Sequence, residues 1–279
     1  MKLFLGKSIE DVKTYWDNRP CNVRHSSKEI GSKDYFDEVE AKRYFVEPHN
    51  KEFASFETWY NKKVLEIGCG IGTDTINFAR AGAKVVAIDL SEKSIEIAKK
   101  RAKVFGVDKL IDFRIGSAEN LEDLLLSNEK FDLIYSFGVI HHTPNPENVY
   151  SKICRFLNEG GECRLMVYHK MSWKVLEILF KSKNYFFEDI DKSIAKYSEA
   201  QAGCPVTFSY TKKEFISLLA KYGIKTDKIY VRHIFPWNIE MYIKGQYEKK
   251  WYWKLVPNLF FDLLQKNFGW HICIVGSKS

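Results

Sequence analysis

"VLEIGCGIGTDT", Val64 to Thr75, is a short apolar run that breaks into closely spaced glycines. The run reads as a buried strand, and the continuation "TDTINFARAG" reads as a helix closed by Gly82. A glycine loop between strand and helix lets backbone approach a ligand closely, and the helix start offers unpaired N–H groups. The spacing narrows the choice of ligand. A dinucleotide loop asks for GxGxxG, whereas Gly68, Gly70 and Gly72 are followed by Thr73, giving GxGxG. The phosphate loop of nucleotide hydrolases needs Gly-Lys followed by Ser or Thr, which is absent here. Both pyrophosphate readings therefore weaken.

Downstream, strands and helices alternate. "KVVAIDL" reads as the second strand, followed by the helix "SEKSIEIAKKRAKVFG", the strand "IDFRIG" and a helical stretch at "ENLEDLLLS". "FDLIYSFG" is the fourth strand, "ENVYSKICRFLN" a helix, Gly160 and Gly161 a turn, and "ECRLMVYH" the fifth strand. Five strands separated by helices predict a doubly wound, mainly parallel α/β sheet. Two more strands are expected at "TDKIYVRHIF" and "GWHICIVGSK", after a helix "TKKEFISLLAKYG" that carries a capping box of Thr211 and Glu214. Upstream, Met1 to about Trp59 reads as a helical preface, with Ser8 and Asp11 as a capping box and a second helical stretch through "KEFASFETWYN".

The chain has 279 residues, 45% hydrophobic and 28% charged, the balance of a globular protein with a substantial core. A net charge of +7 is spread along the chain with no basic block, which biases towards an anionic substrate and gives little support to nucleic acid. Cys21, Cys69, Cys154, Cys163, Cys204 and Cys273 form no CxxC pair, so neither a dense disulfide framework nor a zinc site of that spacing is supported. "MKLFLGKSIEDV" turns polar too soon for a signal-peptide core, and no apolar run approaches a membrane span. A reducing cytoplasm is the expected compartment.

With these elements in place, "VLEIGCGIG" resembles the first motif of class I S-adenosylmethionine-dependent methyltransferases. Asp89, closing the second strand, sits where an acidic side chain can accept hydrogen bonds from ribose hydroxyls. "GSAENL" occupies the place of the family's adenine contacts, "FDLIYSFGVIHH" resembles its fourth-strand motif, and "FLNEGGECRLMV" its fifth-strand region. The family often has an acidic residue where Ser117 stands, so Ser117 or Glu119 would meet the adenine amino group. The resemblance implies a Rossmann-like, seven-stranded, mainly parallel sheet with helices on both faces and an antiparallel last strand. It implies S-adenosylmethionine as cofactor, leaving S-adenosylhomocysteine, and cofactor contacts from Glu66, Gly68, Cys69, Gly70, Gly72, Thr73, Asp89, Leu90, Ser117, Ala118, Glu119 and Phe137. One domain is expected over residues 1–279, with a cap at 1–60, a cofactor core at 61–170, and lid insertions at 171–210 and 236–268.

The acceptor side is less legible. "SFGVIHHTPNP" stands where enzymes methylating planar amino groups carry NPPY or DPPY, so the commonest DNA chemistry is disfavoured and small-molecule methylation preferred. His141 and His142 can supply a general base, or can cap the next helix or pack on the cofactor. Methyl transfer is an in-line displacement, so a base is needed only for an acceptor such as a hydroxyl. "RPCNVRHSS" brings Arg19, Arg24 and His25 together, and "KRYFVEPHN" adds Arg43, Tyr44, Glu47 and His49; either group would bind an anionic or hydroxylated substrate, or solvate a helix surface. Arg24, Tyr44, His49 and Tyr168 are the substrate-side candidates. The spacing of Cys21, His25 and His49 is not diagnostic, and no metal is assigned. "EKKWYWKLVPNLFFDLLQKNFGW" reads as a lid that excludes water in preference to a membrane-surface segment. The function expected is O-methylation of a small molecule, the alternatives being an RNA or membrane-lipid methyltransferase, or a cofactor-binding protein without chemistry.

Overall fold

The computed structural model describes residues 6–183, 190–197, 204–244 and 246–279. Helices α1 (Ile9–Asn18), α2 (Lys33–Val46) and α3 (His49–Ala54) precede the sheet. Then come β1 (Lys63–Ile67), α4 (Thr73–Arg80), β2 (Lys84–Asp89), α5 (Glu92–Val104), β3 (Ile111–Ile115), α6 (Leu121–Leu124), β4 (Phe131–Phe137), α7 (Pro146–Phe156) and β5 (Leu157–Tyr168). The chain continues through α8 (Trp173–Ser182), α9 (Ile190–Tyr197), α10 (Lys212–Lys221), β6 (Ile224–Arg232), α11 (Ile239–Ile243), α12 (Trp251–Lys254), α13 (Asn258–Phe268) and β7 (His271–Lys278).

The strands form one sheet in the order β3-β2-β1-β4-β5-β7-β6. β1 to β5 pair in parallel, and β7 runs antiparallel between β5 and β6. This is the expected seven-stranded sheet. Alternate strand residues feed opposite layers: Leu65, Ile67 and Ile88 pack with Tyr150 of α7 and Phe215 of α10, whereas Val64, Val85 and Ala87 pack with Phe78 of α4 and Val175 of α8. The order steps outward from β1 to β3 and then reverses at β4, opening a cleft at the carboxyl ends of β1 and β4.

Local details depart from the sequence reading in instructive ways. Gly160 and Gly161 do not precede the fifth strand but lie inside it, where the register with β4 slips between Phe131 and Leu133. Gly160 has φ +73°, and a Cβ on Gly161 would press on the carbonyl oxygens of Phe131 and Asn158. A bulge there needs both glycines. The stretch through "KEFASFETWYN" ends as a helix at Ala54, because Ser55 turns left-handed and a 3-10 turn takes over at Phe56 to Trp59. β6 stops at Arg232, three residues short of its expected end, since His233 has φ +72°. Both predicted capping boxes form, at Ser8/Asp11 and Thr211/Glu214. Parts of "SWKVLEILFKSKNYFF" and "QAGCPVTF" lie outside the described residues. No helix among the described residues is long and apolar enough to cross a membrane.

The helical preface is fastened to the sheet layer by polar bonds. Ser91 Oγ donates to Asp17 Oδ1 at 2.7 Å, and Lys13 Nζ lies 2.8 Å from Glu92 Oε1. Deeper, the fully buried Arg101 of α5 donates to Thr73 Oγ1 at 2.6 Å, to Glu40 Oε2 at 3.1 Å and to the Phe36 carbonyl at 3.2 Å. One guanidinium thus joins α5, α2 and the start of α4. Arg101→Ala leaves these acceptors short of a donor and opens a cavity, and is expected to destabilise the fold by about 2–5 kcal/mol. A lower urea midpoint at unchanged slope checks this.

Candidate active site

The glycine loop fills the cleft at the switch point. Gly68, Gly70 and Gly72 have φ of +78°, +53° and +79°, a region open to glycine at little cost. Their surroundings differ. A Cβ on Gly68 would lie 2.3 Å from both methyls of Val139, and one on Gly72 would lie 3.0 Å from Ala98 Cβ, whereas nothing lies within 4 Å of the same point on Gly70. Gly70 is therefore the residue whose bare backbone faces open space. Its N–H donates to Asp89 Oδ2 at 2.7 Å, and Ser91 N–H donates to Asp89 Oδ1 at 2.8 Å, so the carboxylate is fixed at the end of β2.

The open space is a cavity that opens to solvent at its mouth. Of the residues expected to hold the cofactor, Glu66, Gly68, Cys69, Gly70, Thr73, Asp89, Leu90, Ser117, Ala118 and Phe137 line it. Gly72 stands behind the loop, against Ala98 of α5. Glu119 does not line it: its Oε1 accepts from Asn145 N–H at 2.7 Å, an anchor for the start of α7. The preface closes the opposite wall with Ile9, Val12, Trp16, Cys21 and Asn22, none of which the sequence reading had assigned to the cofactor. Side chains on an amphipathic helix such as α1 look the same whether they meet protein core or a ligand, so no local signal marks them.

Beneath the loop lies a buried polar network. Asp74 accepts from Tyr44 Oη at 2.9 Å, Asn50 Nδ2 at 3.0 Å and Tyr135 Oη at 3.1 Å, with Arg43 Nη2 at 3.6 Å. Arg43 also pairs with Glu47 and lies over the Phe137 ring. Glu66 accepts from Thr75 Oγ1, and burial, aided by the charge of Asp74, pushes its carboxyl up to about 8. Tyr44 is thus engaged inside this network and lines neither this cavity nor the next.

A second cavity adjoins the first. The two share Trp16, Asn22, Arg43, Phe137, Gly138 and His142 among their lining residues. The second is completed by Tyr168 of β5, Lys174 of α8, Ile239 and Tyr242 of α11, and His233 and His271. His142 Nδ1 lies 3.0 Å from the Val206 carbonyl and 3.1 Å from Thr207 Oγ1, and the tautomer with its proton on Nδ1 is the one that can donate to the carbonyl. His141 sits behind it, fully buried against Tyr168 and lining neither cavity, so of the two histidines His142 alone is at the junction. Arg24 is exposed on a 3-10 turn and lines neither cavity; Arg43 supplies the guanidinium there instead.

His49 lines neither cavity but ends a row of imidazoles behind the second one. Its Nε2 lies 3.0 Å from His271 Nδ1, and the His271 ring stacks on His233 with centroids 4.6 Å apart. Burial, with Arg43 nearby, holds His49 at about 2 and His233 at about 3, and pushes His271 well below the ordinary range, so all three are neutral imidazoles. Among the described residues, one atom each of Glu47, His233 and His271 come within 4.8 Å of one another, an arrangement able to hold a metal ion. Cys21, His25 and His49 do not form such a group.

A family model described as a methyltransferase domain matches residues 60–223, more than half of the chain. The chain belongs to the class I S-adenosylmethionine-dependent methyltransferase family. S-adenosylmethionine is the family's cofactor, and the cavity around Gly70 suits it, with backbone free of side chain at the loop and a fixed carboxylate at the end of β2. Among curated relatives, a ubiquinone biosynthesis O-methyltransferase of Bartonella quintana (strain Toulouse) is 29% identical over 150 residues, covering 54% of this chain and 58% of the relative. One from Pelagibacter ubique (strain HTCC1062) is 36% identical over 123 residues, covering 43% and 48%. The match thus spans about half the length of these relatives. Among solved structures, magnesium protoporphyrin IX methyltransferase from Synechocystis PCC 6803, with S-adenosylhomocysteine bound, superposes with a TM-score of 0.62 at 14% identity, covering 98% of this chain and 100% of that one. Geranyl diphosphate C-methyltransferase from Streptomyces coelicolor A3(2) gives 0.59 at 14% identity, covering 97% of each. At such identities these two share the fold.

Two outcomes follow for this methyltransferase site. Gly70→Ala points a methyl into the cavity, and Asp89→Ala removes the anchor of the loop. Each is expected to weaken S-adenosylhomocysteine binding by about 1–3 kcal/mol in calorimetric titration, with the far-ultraviolet dichroism unchanged. Glu66 holds a proton in the folded chain that the unfolded chain releases near 4.5. Its contribution to stability therefore falls as pH rises from about 4.5 to about 8. Glu66→Gln should flatten that part of the stability profile measured by urea denaturation.

Proposed function

We propose that the chain transfers a methyl group from S-adenosylmethionine to a small-molecule acceptor, at a hydroxyl oxygen. The observation that carries this reading is the meeting of two cavities at Trp16, Asn22, Arg43, Phe137 and His142. In it, Gly70 backbone and Asp89 hold the donor's amino-acid and ribose portions, Ser117 and Ala118 meet the adenine, and the second cavity takes the acceptor. The bound cofactor supplies an electrophilic methyl group on a positively charged sulfur. The chain's own part is to align the acceptor with that methyl and keep water out.

Trp16 and Phe137 wall the junction with apolar surface, and Tyr168 flanks His142 with ring centroids 5.4 Å apart. With its proton on Nδ1, His142 presents Nε2 to take the proton of an acceptor hydroxyl. Arg43 and Lys174 line the acceptor side and favour an anionic or hydroxylated molecule. The described parts of 171–210 and 236–268 act as lids in this reading, supported by Lys174 of α8 and by Ile239 and Tyr242 of α11 in the cavity wall. The names of the curated relatives agree with oxygen as the methyl acceptor.

A second reading, a lipid-soluble acceptor met at a bilayer surface, is favoured by one feature. Trp251 on α12, Leu255 just after it, and Leu259, Phe260 and Leu263 on α13 are exposed, with Lys249, Lys250 and Lys254 nearby. Radiolabelled S-adenosylmethionine offered with a panel of phenolic and sugar hydroxyls, in buffer and in anionic vesicles, tests both readings. Transfer in buffer to a soluble hydroxyl is expected; transfer that requires vesicles would select the second reading. Cofactor binding with no turnover across both panels would point to a protein without chemistry. His142→Ala is expected to lower kcat by about 10²–10⁴-fold while leaving S-adenosylhomocysteine binding intact. An unchanged kcat would remove its role as base.

A further inference from the structure

We propose that Glu47, His233 and His271 form a binding site for one divalent first-row metal ion at the wall of the acceptor cavity. Sheet register assembles it. His271, the first residue of β7, is paired with Tyr168 at the end of β5 and with Arg232 at the end of β6, and His233 follows Arg232 directly. His233 holds a left-handed backbone, φ +72°, uncommon outside glycine, and this departure from β6 accompanies its stacking on His271. From the preface, Glu47 ends α2 with Oε1 3.7 Å from His271 Nε2.

The donor set matches what such an ion asks for. Two imidazoles and one carboxylate leave coordination positions open for a substrate, and all three residues line the acceptor cavity. The ligand atoms lie within 4.8 Å of one another. Around an ion with bonds of about 2.0–2.2 Å they would stand about 3–3.5 Å apart, a closure that side-chain adjustment supplies. The partners around the ligands have the organisation of a metal site. His271 Nδ1 is 3.0 Å from His49 Nε2, so a proton on Nδ1 orients the ring and leaves the lone pair of Nε2 towards Glu47. Arg43 pairs with Glu47 Oε2, Glu47 Oε1 lies 3.7 Å from His271 Nε2, and the charge of Arg43 is faced by both Glu47 and Asp74.

The role of the ion rests on the methyltransferase reading, whereas its binding does not. An acceptor hydroxyl on an open coordination position would be more acidic and give its proton more readily to His142, which lines the same cavity. The oxygen lone pair then forms the O–CH3 bond. The electron pair of the S–CH3 bond stays on sulfur, which passes from sulfonium to neutral thioether.

The test uses the full chain, stripped with a chelator and titrated with Co²⁺ and Zn²⁺ by calorimetry and, for Co²⁺, by its visible absorption. One ion per chain is expected, with affinity reduced at least about 10-fold in His233→Gln, His271→Gln and Glu47→Gln. S-adenosylhomocysteine binding by the same preparations reports separately on folding and on the donor site. If a histidine variant loses both ligands it has lost its fold, and Glu47→Gln decides. Wild-type chain that takes up no stoichiometric ion, or a folded Glu47→Gln that binds as tightly as wild type, overturns the proposal. An ion bound by a chain that ignores S-adenosylhomocysteine would leave the metal site standing and sink the methyltransferase reading instead.

Discussion

Val139 occupies the space where Gly68 would carry a side chain, at 2.3 Å from an imagined Cβ. This contact joins the loop after β1 to the loop after β4 across the point where strand order reverses. Because the two loops are pressed together, the chain beyond Gly68 must rise away from Val139. A Cβ on Gly70 would then meet nothing within 4 Å, and the Gly70 N–H is held by the Asp89 carboxylate. A larger residue at position 68 would part the loops that make up the cavity floor. The cofactor cleft therefore follows from one steric exclusion at the sheet's switch point, with Asp89 fixing the loop from the other side.

A second layer depends on the same loop. α4 begins immediately after Gly72, and its second residue, Asp74, points back into the protein, where it collects Tyr44, Asn50, Tyr135 and Arg43. Two of these come from α2 and one from α3, so the preface is held by the helix that the glycine loop starts. The buried carboxylate is tolerated because three donors and a guanidinium surround it. That network sets Arg43 at the cavity junction, with Glu47 beside it in the wall of the second cavity. Donor loop and acceptor wall are thereby mechanically linked through a single residue.

How much of this was legible in the sequence depends on the range of each interaction. The glycine loop, Asp89, the alternation of strands and helices and both capping boxes were readable, because each rests on neighbours along the chain or on the regular spacing of one βαβ unit. The double glycine signalled an irregularity, but whether it made a turn or a bulge turned on the pairing of β5 with β4. Around the second cavity, His142, Tyr168 and Arg43 line the wall, whereas Arg24 does not. Composition placed both arginines in similar polar company, and only the packing of α2 against α4 tells them apart. His49 and His271 are 222 positions apart, and His233 reads as one more residue of a strand. No periodicity encodes such a meeting.

The antiparallel strand explains why the acceptor half resists a local reading. In a purely parallel sheet only strand ends reach the carboxyl-end face, so a search confined to residues following strands covers the site. β7 inserts in the opposite sense and delivers its first residue, His271, to that same face, in register with Tyr168 and Arg232. His271, in the wall of the second cavity, therefore comes where a strand begins, and its neighbour His233 lies just past the end of another. The donor half is written in a contiguous motif whose geometry any chain with that spacing reproduces. The wall of the second cavity is assembled from the preface, the β6 exit and the β7 entry, three segments that lie far apart in the sequence. Such a division lets one sheet keep its cofactor chemistry while the acceptor varies.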